Sequence, residues 1–222
     1  MELDLDDKVK TGIGQASLVI HESIVISLNP NTEIQVKDLT KEHVNLEQPS
    51  GQTWNKFTEM AGVSELSIET PNTVATVRGT YFGVGMDKIT VGEGVVIVEK
   101  DGQTVEVRAG QKSYTKDGQL VVEDLTPEEI TELTDRMQRS IEQLRALRER
   151  EARKHPILLS QLQKQYGISE SEVREYLNKA DRGEFDLDAL EEKSPVKIES
   201  VKKIKAITEE IIKTNKAIEE IQ

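Results

Sequence analysis

The chain has 222 residues, 36% of them hydrophobic and 32% charged, which suits one or two folded domains; aromatics are only 4%, so the core must be mostly Val, Ile and Leu. A formal net charge of −12 repels phosphate backbones and anionic lipid, which argues against general nucleic-acid binding and against an anionic membrane surface. The lack of cysteine excludes disulfides, thiolate metal sites and a cysteine nucleophile, and no apolar run approaches the ~18 residues that span a bilayer.

Two rhythms follow one another along the chain. Twelve of the fourteen glycines precede residue 119, and Val and Ile alternate with polar residues through the same stretch. Short strands are predicted at residues 17–20, 24–26, 34–36, 66–68, 73–78, 88–91, 95–98, 105–107 and 120–122. Turns are expected at Asn29-Pro30-Asn31, Asp101-Gly102 and Asp117-Gly118; an Asp-Gly pair between alternating runs marks a hairpin because Gly accepts positive φ. Many short strands at regular spacing predict a mainly β sandwich or roll over residues 1–124.

After Asp124 the period becomes helical, predicting an α-helical hairpin or coiled-coil-like region over 125–222. Thr126 can cap a helix, Pro127 suits its first position and Glu129 can reach back to the cap. Ile130, Leu133, Met137, Ile141 and Leu144 then form one apolar stripe on a helix over 127–154. Further helices are expected at 157–166, at 170–180 behind a Ser169/Glu172 capping box, at 186–192, and at 195–222 after Ser194-Pro195. In the last helix Ile204, Ile211 and Ile218 are seven apart, and Ile207, Thr214 and Ile221 form a second row. Such a stripe must be buried, either against Ile130 to Leu144 of the same chain or in a coiled coil with another, so these isoleucines are the candidate interface.

The stretch from Thr70 to Gly110 carries the densest pattern: Thr70-Pro71, then Val77-Arg78-Gly79-Thr80 with Phe82, then Glu93-Gly94 with Val96, and finally Ala109-Gly110. With the KVKTGIGQASLVI and ISLNPNTEI segments upstream, residues 5–122 resemble the FecR-like domain family. Gln111 departs from the pattern, where an acidic residue is common, and so does His21-Glu22-Ser23, which replaces an Asp-Gly-Ser turn. The resemblance implies an all-β extracytoplasmic domain, with a leader, an anchor or a first strand lying before Met1. Its namesake transmits an iron-uptake signal across a membrane to a sigma factor. It brings no catalytic residues. Read from the residues alone, Arg78 lies in an apolar, β-branched strand and is expected to be mostly buried and paired with a carboxylate, Glu93 first. Gly79, Gly92 and Gly94 suit bulges or close backbone approach.

The other motifs are weaker. Leu158 to Leu177 matches a helix-turn-helix pattern, but Glu170, Glu172 and Glu175 face outward against Arg174 and Lys179, so a plain helical hairpin is the better reading. His21, His43 and His155 lack ligand spacing, Glu184 to Asp188 lacks the residues of a calcium loop, and no phosphate loop or nucleophile elbow occurs. Trp54 and Phe57 read as packing residues. The expectation is therefore a non-enzymatic binding or scaffold module at the cell envelope, with no cofactor, metal, nucleic acid or identified small molecule, and with a protein partner or self-association through the helices. The alternatives are the ligand-sensing part of a transmembrane signalling regulator, or a cytosolic helix-turn-helix regulator.

Overall fold

The structure is a computed structural model describing residues 2–58, 60, 62–154, 169–184, 186–188 and 199–222. The chain divides into two compact units, one of residues 1–137 with 217–222 and one of residues 138–216.

The first unit holds fourteen strands among the described residues. They are β1 (Lys8–Lys10), β2 (Ala16–Ile20), β3 (Ile24–Leu28), β4 (Glu33–Leu39), β5 (Val44–Ser50), β6 (Thr53–Phe57) and β7 (Leu66–Glu69). After these come β8 (Val74–Val77), β9 (Tyr81–Val84), β10 (Lys88–Glu93), β11 (Val95–Lys100), β12 (Gln103–Arg108), β13 (Gln111–Lys116) and β14 (Gln119–Asp124). They form two seven-stranded sheets, ordered β1-β4-β5-β7-β8-β11-β12 and β2-β3-β6-β9-β10-β13-β14. Every pairing is antiparallel except that of β5 with β7.

The order within each sheet is the order along the chain. After β1 the path lays hairpins on the two sheets in turn, except that β6 crosses as a single strand, which leaves β5 and β7 parallel. Alternate residues of both sheets meet in one core: Ile24, Ile26, Phe57, Phe82 and Val91 from one side, Val36, Leu46, Ile68, Val77 and Val96 from the other. Asp101-Gly102 and Asp117-Gly118 turn hairpins with both residues at positive φ, as the sequence predicts, and His21-Glu22 does the same between β2 and β3. Asn29-Pro30-Asn31 differs: it carries the chain from one sheet to the other.

Four strands escape the sequence reading, β5, β6, β9 and β13, while β1 lies in the KVKTGIGQASLVI segment that resembles the family's opening strands. In β6 and β9 every residue is buried, because that sheet is covered on both faces, and full burial erases the alternation that reveals a strand. The cover is helix α1 (Pro127–Arg153). Leu133 and Met137 lie over Gly92 and Tyr81. Arg136 donates to Asn29 at 3.0 Å and sits 5.7 Å above the Trp54 ring, which stacks on Tyr81. The start of α1 is the predicted capping box: Glu129 N–H donates to Thr126 Oγ1, and Thr126 N–H to the Glu129 carboxylate.

The second unit is helical. It contains the later turns of α1, then α2 (Glu170–Asp181), then most of α3 (Glu199–Ile221). Ser169 caps α2 in the expected box with Glu172. Arg148 meets Thr208, and Glu151 accepts from Ser200, so α1 and α3 run antiparallel here. The helix expected at 157–166, most of 186–192 and the Ser194-Pro195 start lie outside the described residues, as does most of the helix-turn-helix segment.

Candidate functional site

The motif residues form a corner where strands leave one sheet for the other. Gly79 joins β8 to β9, Gly94 joins β10 to β11 and Gly110 joins β12 to β13, each at positive φ. At Gly94 both constraints of glycine act together. Its φ is +77°, and a Cβ there would stand 2.8 Å from the Gly79 carbonyl oxygen and from Thr80 Cγ2. The Arg-Gly-Thr and Glu-Gly segments are thus pressed against each other. Thr80 is buried and exchanges backbone hydrogen bonds with Phe57, while Phe82 fills the core. Gly92 marks a bulge, where the β9–β10 register shifts, and Met137, Tyr81 and Leu133 occupy the space a side chain would need.

The expected Arg78–Glu93 pair does not exist. Arg78 follows the inward-facing Val77, so strand parity sends it to solvent; its side chain is 76% exposed and reaches Glu65 at 3.4 Å. Glu65 also meets His43 Nδ1 at 3.1 Å. The buried partner of Glu93 is Lys56, whose Nζ donates to Oε2 at 2.7 Å with its side chain fully buried. Lys56, Tyr81 and Glu93 lie side by side across β6, β9 and β10. Lys56 was hidden in the sequence because the short run Thr53 to Phe57 shows no period.

Thr70 and Pro71 form the turn after β7. Thr70 Oγ1 accepts from the Asn72 and Thr73 N–H groups, and Asn72 donates to the Met86 carbonyl. Thr70, Pro71, Thr73, Glu99, Asp101 and Gln103 line an open cleft of about 320 Å³. Its walls are mostly polar, and Thr70 and Thr73 are bonded to each other within their own turn.

A second electrostatic knot ties α1 to its sheet. Glu129 accepts from Lys88 at 3.1 Å and Lys112 at 2.7 Å as well as from its cap. Burial alone would raise its pKa. The hydrogen bonds from Lys112, Thr126 N–H and Lys88 outweigh that and hold it at about 2.

Of the candidate interface isoleucines, Ile207, Ile211 and Ile218 are buried and Ile204 and Ile221 half-buried. The buried ion cluster of the helical unit was not foreseen. Asp181 takes Arg148 through two contacts, at 2.5 and 3.2 Å, and Arg145 at 2.8 Å, while Asn215 donates to its carbonyl. Among the described residues no group of three or more His, Cys, Asp or Glu is placed to hold a metal, and no helix is long and apolar enough to cross a membrane.

Residues 7–111 match the family profile described as FecR protein. The fold is similar to two solved structures from Parabacteroides distasonis ATCC 8503, each provisionally assigned as an anti-sigma factor. One is 14% identical with a TM-score of 0.50, covering 57% of this chain and 63% of that one. The other is 13% identical with a TM-score of 0.49, covering 56% and 63%. At 14% identity the likeness to the first is one of fold alone. The chain spans 63% of the length of each. No curated protein matches the sequence.

Proposed function

Since residues 7–111 are a FecR domain, we propose that this chain is the sensing part of a transmembrane signalling regulator, a non-catalytic module that receives and passes on a signal by protein–protein contact. The FecR match over the β unit is the observation that carries this reading. The likeness in fold to proteins assigned as anti-sigma factors agrees with it. The buried motif residues hold the corner rigid through turns, packing and the Lys56–Glu93 pair. Pro71, Arg78 and Ala109 are the motif side chains left exposed, and Arg78 is the one suited to an acidic partner surface. The proposed location is extracytoplasmic, with a membrane anchor elsewhere in the full-length protein. A purely structural scaffold at the envelope is the second reading.

The two differ in what deletion of the gene does. A signalling regulator predicts altered transcription of a discrete set of genes sharing one sigma-factor class of promoter, restored by the wild-type gene. Unchanged transcription together with an altered set of envelope proteins would favour the scaffold and sink the regulator.

A further inference from the structure

Four strands form the edges of the two sheets, and they are not alike. β1 carries Lys8 and Lys10, β12 carries Glu106 and Arg108, and β14 carries Glu123 and Asp124. Charges of this kind guard an exposed edge against pairing with another chain. β2, with the sequence Ala-Ser-Leu-Val-Ile, carries none.

The side chains of β2 are also incompletely covered. Ala16 and Leu18 point to the core yet are only partly buried against it, whereas Ile20 is buried. Val19, on the opposite face, is 42% exposed. The loop that enters β2 presents Ile13, 99% exposed, between Gly12 and Gly14. An unguarded edge, a half-open end of the core and an exposed isoleucine therefore coincide.

We propose that β2 is a self-association edge, pairing antiparallel with β2 of a second copy of this chain. The strand suits its own copy. With a two-fold axis through Leu18 and normal to the sheet, Ala16 faces Ile20 of the copy, Ser17 faces Val19, and Leu18 faces Leu18. Core-facing residues then meet core-facing residues, because the side-chain period of two is preserved across the axis. No like charges oppose each other. Self-pairing of β1 about its centre would set Lys8 against Lys10. The sheet runs unbroken through both copies, and each Leu18 covers the other's open end of the core.

A five-residue edge gives a small, transient interface, and each copy bears a net charge of −12. The contact is apolar and the long-range repulsion is screened by salt, so dimerisation tightens as ionic strength rises. The test is sedimentation of the whole chain from ~10 µM to ~1 mM, at low and at high salt, the range in which a small interface fills. We expect a concentration-dependent rise toward twice the mass, stronger at high salt, with slowed amide exchange at residues 16–20. Val19→Lys places a charge on an already exposed site; it should weaken dimerisation at least tenfold with an unchanged melting curve. Thr104→Lys, the matching change on the guarded edge β12, should leave it intact. A wild-type chain monomeric at the highest concentration overturns the proposal, even if the edge takes a strand from another protein. A dimer that survives Val19→Lys, or weakens with salt, overturns it too.

Discussion

The β unit and the helical unit each bury an ion pair, but they use it differently. In the β unit Lys56 and Glu93 flank Tyr81 across three adjacent strands of one sheet, whose register is already fixed by backbone hydrogen bonds and by turns at Gly79 and Gly94. In the helical unit the Asp181 carboxylate gathers Arg145 and Arg148 from another helix, with Thr208 and Asn215 of a third joining the same cluster. Helices satisfy their own backbone, so nothing but side chains can set how they pack. The sheet would keep its topology without the lysine pair. Among the described residues the three helical segments take their register from the Asp181 cluster, the Glu151–Ser200 contact and an apolar stripe.

That contrast can be broken first at the ion pairs. Asp181→Ala takes the carboxylate from the buried Arg148, while Arg145 keeps Glu142, at a cost of roughly 3–5 kcal/mol. We expect loss of helical ellipticity with the β signal retained. Lys56→Ala leaves a buried carboxylate at a similar cost, but it should lower the melting temperature of the β unit without changing its strand content.

Truncation sharpens the comparison. A fragment ending at Asp124 should fold with a β-type circular dichroism spectrum, since all fourteen strands are present. A fragment ending at Met137 should be more stable, because Leu133 and Met137 cover Gly92 and Tyr81, each worth ~1.5–3 kcal/mol when fully buried. Urea unfolding of the two measures the difference; equal midpoints would mean that α1 adds nothing to the sheet.

A smaller effect separates two glycines of equal φ. Gly94 and Gly102 both stand at +77°, but a Cβ at Gly102 meets nothing, whereas at Gly94 it meets the Gly79 carbonyl. Alanine at either pays the left-handed strain, about 1–2 kcal/mol. Gly94→Ala adds the overlap, roughly 1–3 kcal/mol more. Equal melting temperatures for the two variants would show that the corner is loose.

Acid should act on the helix–sheet junction. The Glu129 carboxyl titrates at about 2 in the folded chain, below its ordinary value of 4.5. Its stabilising contribution is complete above the unfolded value and is lost as pH falls from 4.5 towards 2. Glu129→Gln should therefore be less stable than wild type at neutral pH and approach it near pH 2, read from urea midpoints. The smallest expected effect is at Arg78. Its exposed pair with Glu65 is weak, so Arg78→Ala should change stability by under ~0.5 kcal/mol. A larger loss would restore a structural role to that arginine.

Legibility in the sequence follows the same division. Asp101-Gly102, Asp117-Gly118, the Thr126/Glu129 box and the Ser169/Glu172 box were readable because each is a local device of two to four residues. The strand at 105–107, with one wet face, alternates as Val105, Glu106 and Val107, whereas 95–98 reads as a strand from its short β-branched run. β6 and β9 show no alternation, because a helix covers their second face, and β13 shows none, because Gln111 to Lys116 is polar almost throughout. Of the motif glycines, Gly92 and Gly94 stand at points of close approach. The charge at Arg78 was placed inside because the surrounding residues are apolar; one step of parity past Val77 reverses that. Lys56 and Asp181 were out of reach, since their partners lie 37 and 33 residues away and no spacing rule joins them.

The winding of the sheets has a consequence for synthesis. In both, strand neighbours succeed one another in chain order, so no later strand has to insert between two already placed. Each hairpin needs only its predecessors to dock. A chain that emerges amino-terminus first can therefore be laid down as it arrives, and its unfinished form always ends in the edge that the next segment will cover. Lengthening or shortening such a roll by one hairpin per sheet requires no rethreading, which makes its length an adjustable trait rather than a fixed property of the fold.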